Sequence, residues 1–198
     1  MTKYILVGGY IHKAPDGGKA FCEEIVRGIS HSPIRILDCL FARPKDSQEK
    51  RFQDDREFFL KNTSDFTLDL ALPETFKEQI KNSDVIIFQG ARPEDLMKVL
   101  ENIQGWKEEL AGKVVVGSSG GASTLAQYFG VGKSTTGSPR LGEGLGLLSI
   151  KFIPHWESDY GEGFSADWGG LLEKLKAYRE DIDVITLRDE QFSIIEKE

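Results

Sequence analysis

Short apolar runs alternate with amphipathic stretches along most of the chain. YILVGG (4–9), IRILDCLF (34–41), DVIIFQG (84–90), KVVVGSS (113–119) and LLSIKFIP (147–154) read as buried strands, with FTLDLA (66–71) as a weaker one. The stretches between them carry helix signals. One helix runs from about Asp16 through FCEEIVRGI, Pro73 opens PETFKEQIKNS, and Pro93 opens a helix through LMKVLENI. Another is expected from Trp106 to Ala111, closed by Gly112, and a last one near 167–180. STLAQYFG (123–130) also looks helical. In KDSQEKRFQDDREFFLKN (45–62), the spacing of Phe52, Phe58 and Phe59 can bring them near one helical face, and the charges read as a solvated face.

Strands that are apolar throughout, separated by helices, imply a mostly parallel sheet covered on both sides: a three-layer α/β/α fold. After Gly130 the pattern loosens into the glycine- and serine-rich VGKSTTGSPRLGEGLG, read as a loop. DVITLRDEQFSIIE reads as two strands around a turn at 188–191, an antiparallel edge hairpin. With neither a repeat nor a linker, residues 1–198 are expected to form one domain.

Composition narrows the function classes. A chain with 39% hydrophobic and 29% charged residues is globular rather than disordered. A net charge of −7 argues against general nucleic-acid binding, which relies on cations to neutralise phosphates. No apolar run is long enough for a membrane span, and the start lacks a signal-peptide core, so a cytoplasmic location is expected. Cys22 and Cys39 lie in apolar stretches and are read as buried reduced thiols. Three scattered histidines and two separated cysteines form no metal-ligand pattern, so neither a metal nor a cofactor is expected.

The chemistry concentrates at 113–122, KVVVGSSGGA. Gly117, Ser119 and Gly121 fit G-x-S-x-G, in which a serine on a strained strand-to-helix turn projects its hydroxyl at the sheet edge. The N–H of Gly120, just after that serine, is placed to meet a developing oxyanion. A plain packing turn or a phosphate cradle at a helix N-terminus are the competing readings. Ser118 falls outside the glycine frame. A serine needs a base, and among the histidines His12 and His31 lie in loops, whereas His155 follows a strand exit. If that strand shares the sheet, His155 reaches the serine's edge. An acid to orient the imidazole comes from the last turn, where Glu190 and its neighbour Asp189 are both available.

This ordered set resembles the peptidase E and cyanophycinase family of serine peptidases, built on the class I glutamine amidotransferase-like (flavodoxin-like) fold. ILVGG, DVIIFQGARPEDLMKVL, VVVGSSGGASTLA, GLGLLSIKFIPHW and TLRDEQFSII carry the likeness across most of the chain. The resemblance implies a Ser119–His155–Glu190 triad, an oxyanion hole of Gly90 and Gly120, and substrate contacts at Ala91, Gly121 and Trp156. It also implies a short peptide or small amide as substrate, no cofactor, and a monomer or homodimer. Two departures stand out. Gln89-Gly90-Ala91 replaces the family's usual Gly-Gly-Asn, and the segment after His155 is acidic, without the arginine that an aspartyl dipeptidase uses. Arg92 and Arg140 are the available substitutes. Weak or absent aspartyl-dipeptide specificity is therefore expected, with an amino-terminal ammonium or neutral side chain favoured. A non-catalytic binding protein on the same fold is the rival reading. An esterase of the α/β-hydrolase type is disfavoured by the order serine, histidine, acid.

Overall fold

A computed structural model describes residues 1–132, 139–158 and 166–198. Its main sheet has six strands in the order β10-β1-β5-β4-β2-β3. In chain order these are β1 (Thr2–Val7), β2 (Ile34–Cys39), β3 (Phe66–Leu70), β4 (Val85–Phe88), β5 (Val114–Ser118) and, at the far end of the chain, β10 (Phe192–Lys197). All neighbouring pairs are parallel except β10, which runs antiparallel to β1 with Val7 opposite Phe192.

Period-two alternation assigns the strand side chains to opposite faces. Ile5, Val7, Ile36, Val85, Ile87, Val114 and Val116 pack with Phe21, Cys22 and Ile25 of α1 (Lys19–Val26) and Phe59 of α2 (Lys45–Asn62). Tyr4, Leu6, Leu37, Ile86, Phe88 and Val115 face the other way. They meet Phe76 and Ile80 of α3 (Phe76–Lys81), Leu96 and Leu100 of α4 (Pro93–Leu100), and Ala122 and Leu125 of α5 (Gly120–Leu125). Both faces of the sheet are thus buried, which accounts for its near-continuous apolar strands.

A second, four-stranded sheet lies on the α5 side, in the order β7-β6-β8-β9. Its strands are β6 (Ala126–Val131), β7 (Arg140–Glu143), β8 (Leu148–Ile153) and β9 (Val184–Thr186). Leu148, Ile150 and Phe152 of β8 join the core shared with the main sheet, while Ile153 packs with Leu171 and Leu175 of α6 (Trp168–Lys176).

Several expectations are corrected here. The apolar stretch after the serine turn is helical for only six residues and then becomes β6, because pairing with both β7 and β8 outweighs a short run's helical tendency. The glycine-rich segment contributes β7 at its end, and its middle, 133–138, lies outside the described residues. The last two strands do not form a hairpin with each other. β9 pairs in parallel with β8, and the turn at 187–191 carries the chain across to β10 on the main sheet. Instead of the helix expected at 106–111 there is only a 3-10 turn at Glu108–Leu110. The segment is held by burial of Trp106, whose Nε1 donates to Leu100 O at 3.1 Å.

Local chemistry explains several helix starts. Pro93 occupies the first turn of α4 with Glu94 and Asp95 beside it. Asp16 accepts from the N–H groups of Gly18 and Ala20 ahead of α1, and Asp167 caps α6 by accepting from Gly170 N. Gly112 has φ +75, a backbone that favours glycine, where the chain turns into β5. Among the described residues, no helix is long and apolar enough to cross a membrane.

Trp106 is 2% exposed and its ring lies 5.7 Å from Phe88 and 5.9 Å from Phe76. Replacement by alanine is expected to cost about 3–5 kcal/mol of stability by cavity formation. Chemical denaturation checks this, and a loss below about 1 kcal/mol would contradict the packing role.

Candidate active site

β5 delivers Ser119 to the carboxyl edge of the main sheet, where α5 begins. Its φ of 51° and ψ of −112° are unusual for any residue with a side chain. The flanking glycines exist because backbone crowds them. A Cβ on Gly121 would lie 2.0 Å from Phe88 O, one on Gly120 would lie 1.8 Å from Ala91 O, and one on Gly117 would lie 2.7 Å from Ala122 Cα. Gly90 abuts the serine from the β4 exit: a Cβ there would lie 3.1 Å from Ser119 Cβ. Among the described residues, the N–H groups of Gly90 and Gly120 have no hydrogen-bond acceptor. Two free donors therefore flank one hydroxyl.

His155 comes from the second sheet, so the condition that its strand share the main sheet is not met, yet it still reaches the serine. β8 ends at Ile153, and the Pro154-His155 turn docks on β1 through His155 N to Gly8 O at 3.1 Å. Ser119 Oγ and His155 Nε2 are 2.6 Å apart, within direct hydrogen-bond reach. On the other side of the ring, His155 Nδ1 lies 2.5 Å from Asp189 Oδ1. The acid at the imidazole is therefore Asp189, which corrects the expectation of Glu190. Glu190 has φ 67° and an exposed side chain, and its N–H donates to Gly9 O at 2.7 Å. That main-chain anchor leaves the preceding carboxylate turned to the histidine. Gly9 makes the closeness possible: a Cβ on it would lie 2.2 Å from His155 Cε1 and 2.5 Å from Asp189 Oδ1.

A cavity of about 710 Å³ opens beside Ser119 and His155, a size suited to a small ligand. Gly90 and Ala91 are among the residues that line it. Trp156 instead packs against Trp168, with ring centroids 5.5 Å apart and planes tilted by 59°, in the cluster around α6, and Gly121 is buried against the Phe88 carbonyl. Both are corrected as wall residues: each is turned into packing. Arg140 pairs with Glu94, and Arg92 lies 3.8 Å from Asp95. Of the acidic segment after His155, Glu157 pairs with Arg188, and Asp159 through Ser165 lie outside the described residues.

The far wall of the cavity was missed in the sequence. Arg51, Asp54, Asp55, Phe58 and Asn62 of α2 line it together with Arg43. Their spacing follows a helical stripe, so the charged helix presents a cavity-lining face and not only a solvated one. Asp55 is only 5% exposed. It is neutralised by Arg51, 2.6 Å away and one turn earlier, and accepts from Gln89 Nε2 at 2.9 Å. His12, read as a loop residue, also lines the cavity, and burial with the nearby charges of Arg51 and Lys13 lowers its pKa. His31 sits elsewhere, against Asp84 at 3.2 Å. Both cysteines are buried and unpaired, and burial pushes the Cys22 thiol up to about 12. Among the described residues, no group of three or more His, Cys, Asp or Glu could hold a metal ion.

Beneath this wall, Asp38 of β2 is fully buried, and neither carboxyl oxygen has a partner among the described residues. Burial, reinforced by the negative charge of Asp55, raises its pKa well above the ordinary carboxylate value. Burial raises that of Asp55 as well, against the pull of Arg51.

No protein-family model and no curated protein matches the chain. Solved structures do. A peptidase from an acI-B1 Actinobacterium superposes with a TM-score of 0.70 at 19% identity, over 98% of this chain and 83% of that one. A peptidase E candidate from Listeria monocytogenes EGD-e gives 0.68 at 13% identity, over 98% and 94%. The chain has the fold of these proteins: mostly parallel sheets with helices on both sides, of the flavodoxin-like peptidase E type.

An acid that holds its proton more tightly when folded makes stability fall as pH rises from about 4 towards the folded pKa. Asp38→Asn removes that titration, so the loss of stability between pH 5 and 9 is expected to be shallower in the variant than in the wild type. Thermal melts across this range test it, and parallel curves would contradict a raised pKa at Asp38.

Proposed function

We propose that this protein is a serine hydrolase of the peptidase E type that cleaves short peptides or related small amides through an acyl-enzyme. One observation carries the reading: Ser119 Oγ, His155 and Asp189 form a continuous chain of contacts at 2.6 and 2.5 Å, at the mouth of a cavity. The peptidase fold of the structural neighbours supports it.

In this mechanism His155 Nε2 takes the Ser119 proton as the oxygen attacks the substrate carbonyl carbon. Negative charge then gathers on the carbonyl oxygen, where the N–H groups of Gly90 and Gly120 receive it. Collapse breaks the C–N bond, and the imidazolium returns the proton to the leaving amine. Water, deprotonated by the same histidine, then attacks the acyl-serine and regenerates the hydroxyl. Asp189 holds the Nδ1–H and so selects the tautomer in which Nε2 is free to act as a base. Arg43 and Asp54, of opposite sign, both line the cavity, so neither an acidic nor a basic side chain is demanded.

A fluorophosphonate probe and a panel of dipeptides test the reading. The wild type is expected to be labelled and Ser119→Ala not at all. Asp189→Asn is expected to slow hydrolysis by about 10²–10⁴-fold, whereas Glu190→Gln stays within about twofold. An unlabelled wild type would favour a binding protein, and a large loss in Glu190→Gln would return the acid's role to that residue.

A further inference from the structure

The polar cluster beneath the Gly90 turn is not used by the chemistry above, and its geometry bears on one of the oxyanion donors. Gln89 follows β4 directly, is 6% exposed, and donates its main-chain N–H to Cys39 O at 3.2 Å. Both ends of its side-chain amide are occupied by α2. Nε2 donates to Asp55 Oδ2 at 2.9 Å, and Oε1 accepts from Arg51 at 3.3 Å. Arg51 and Asp55 in turn bind each other twice, at 2.8 and 2.6 Å. The three side chains close a ring, and each defines how the other two can point.

The peptide plane explains why this ring matters. The N–H of Gly90 belongs to the same rigid unit as the carbonyl of Gln89. Glycine on one side of that unit imposes little rotational restraint. The angle of the donor must therefore be held from the Gln89 side, where the main-chain N–H is fixed by Cys39 O and the buried side-chain amide by Arg51 and Asp55. Ser119 lies immediately across from Gly90, so a small rotation of this peptide would move the donor relative to the reacting oxygen.

Resting on the serine hydrolase reading, we propose that Arg51 and Asp55 are positioning residues: acting through Gln89, they orient the peptide that presents the Gly90 N–H to the oxyanion. Neither touches the reacting atoms. The departure at Gln89-Gly90-Ala91 then equips this chain with its own way of fixing the turn.

The test measures the rate of fluorophosphonate labelling per folded molecule, since the phosphoryl oxygen of that probe occupies the place of the oxyanion. Full-length wild type, Asp55→Asn, Gln89→Leu, the double variant and Ser119→Ala are compared, with melting temperatures recorded for each. Asp55→Asn and Gln89→Leu are each expected to reduce the limiting rate about 10- to 100-fold, with little change in the half-saturating probe concentration. The double variant should lose no more than Gln89→Leu alone, because both changes break one linkage. Gln89→Leu leaves the Arg51–Asp55 pair intact and keeps the test decisive if Asp55→Asn does not fold. Limiting rates within twofold of the wild type, or losses that multiply in the double variant, would overturn the proposal while leaving the hydrolase reading in place. A wild type that is not labelled would overturn both.

Discussion

The site depends on three consecutive carbonyl groups at the exit of β1. Val7 O accepts from Ser119 N at 2.9 Å, Gly8 O from His155 N at 3.1 Å, and Gly9 O from Glu190 N at 2.7 Å. Segments distant in sequence and drawn from two sheets are thus brought into register by one short stretch of backbone where β1 ends. The approach is so close that side chains would prevent it: a Cβ on Gly8 would lie 2.0 Å from Arg188 O, and one on Gly9 would enter the imidazole. The double glycine of ILVGG is the steric condition for Ser119, His155 and Asp189 to meet.

The same three hydrogen bonds hold backbone conformations that a free chain would avoid. Ser119, His155 and Glu190 have φ of 51°, 54° and 67°, and each such residue costs on the order of 1–3 kcal/mol. In each case the strained residue is the one whose N–H is tied to β1. Strain and anchor therefore coincide, which is what a preorganised site requires: side-chain directions are set before any substrate arrives. The buried apolar strands behind β1 and β5 supply the rigidity that this arrangement presses against.

Much of this was legible in the sequence, because steric demands leave signatures in residue type. Gly117, Gly120 and Gly121 mark an elbow since larger residues cannot fit, and the strands β1, β4 and β5 declare themselves by being apolar on both faces. What the sequence hid depends on tertiary choices. The turn at 187–191 offers two adjacent acids, and only its phase, set by the Glu190 N–H bond to Gly9, turns Asp189 rather than Glu190 to the histidine. The sheet that carries His155 could not be read either, because β6 and β7 form only by pairing with partners that local propensity does not foresee. Likewise the charges of α2 look solvated in isolation. The burial of Asp55 among them is intelligible only once Gln89 arrives from β4 to join the Arg51–Asp55 pair.

That last arrangement raises a question of economy in design. A buried ion pair seldom adds stability over well-packed apolar groups, because two charges must leave water. Here Asp38, its pKa raised by burial, lies beneath it as well, with neither carboxyl oxygen hydrogen-bonded among the described residues, a second unfavourable choice on energetic grounds alone. Polar groups so placed are better understood by what they orient than by what they stabilise. Arg51 and Asp55 hold an amide whose backbone neighbour faces the serine, and an apolar replacement could fill the space without dictating an angle. Directionality is what hydrogen bonds provide and packing does not, and the cavity wall concentrates it beside the peptide that lies against Ser119.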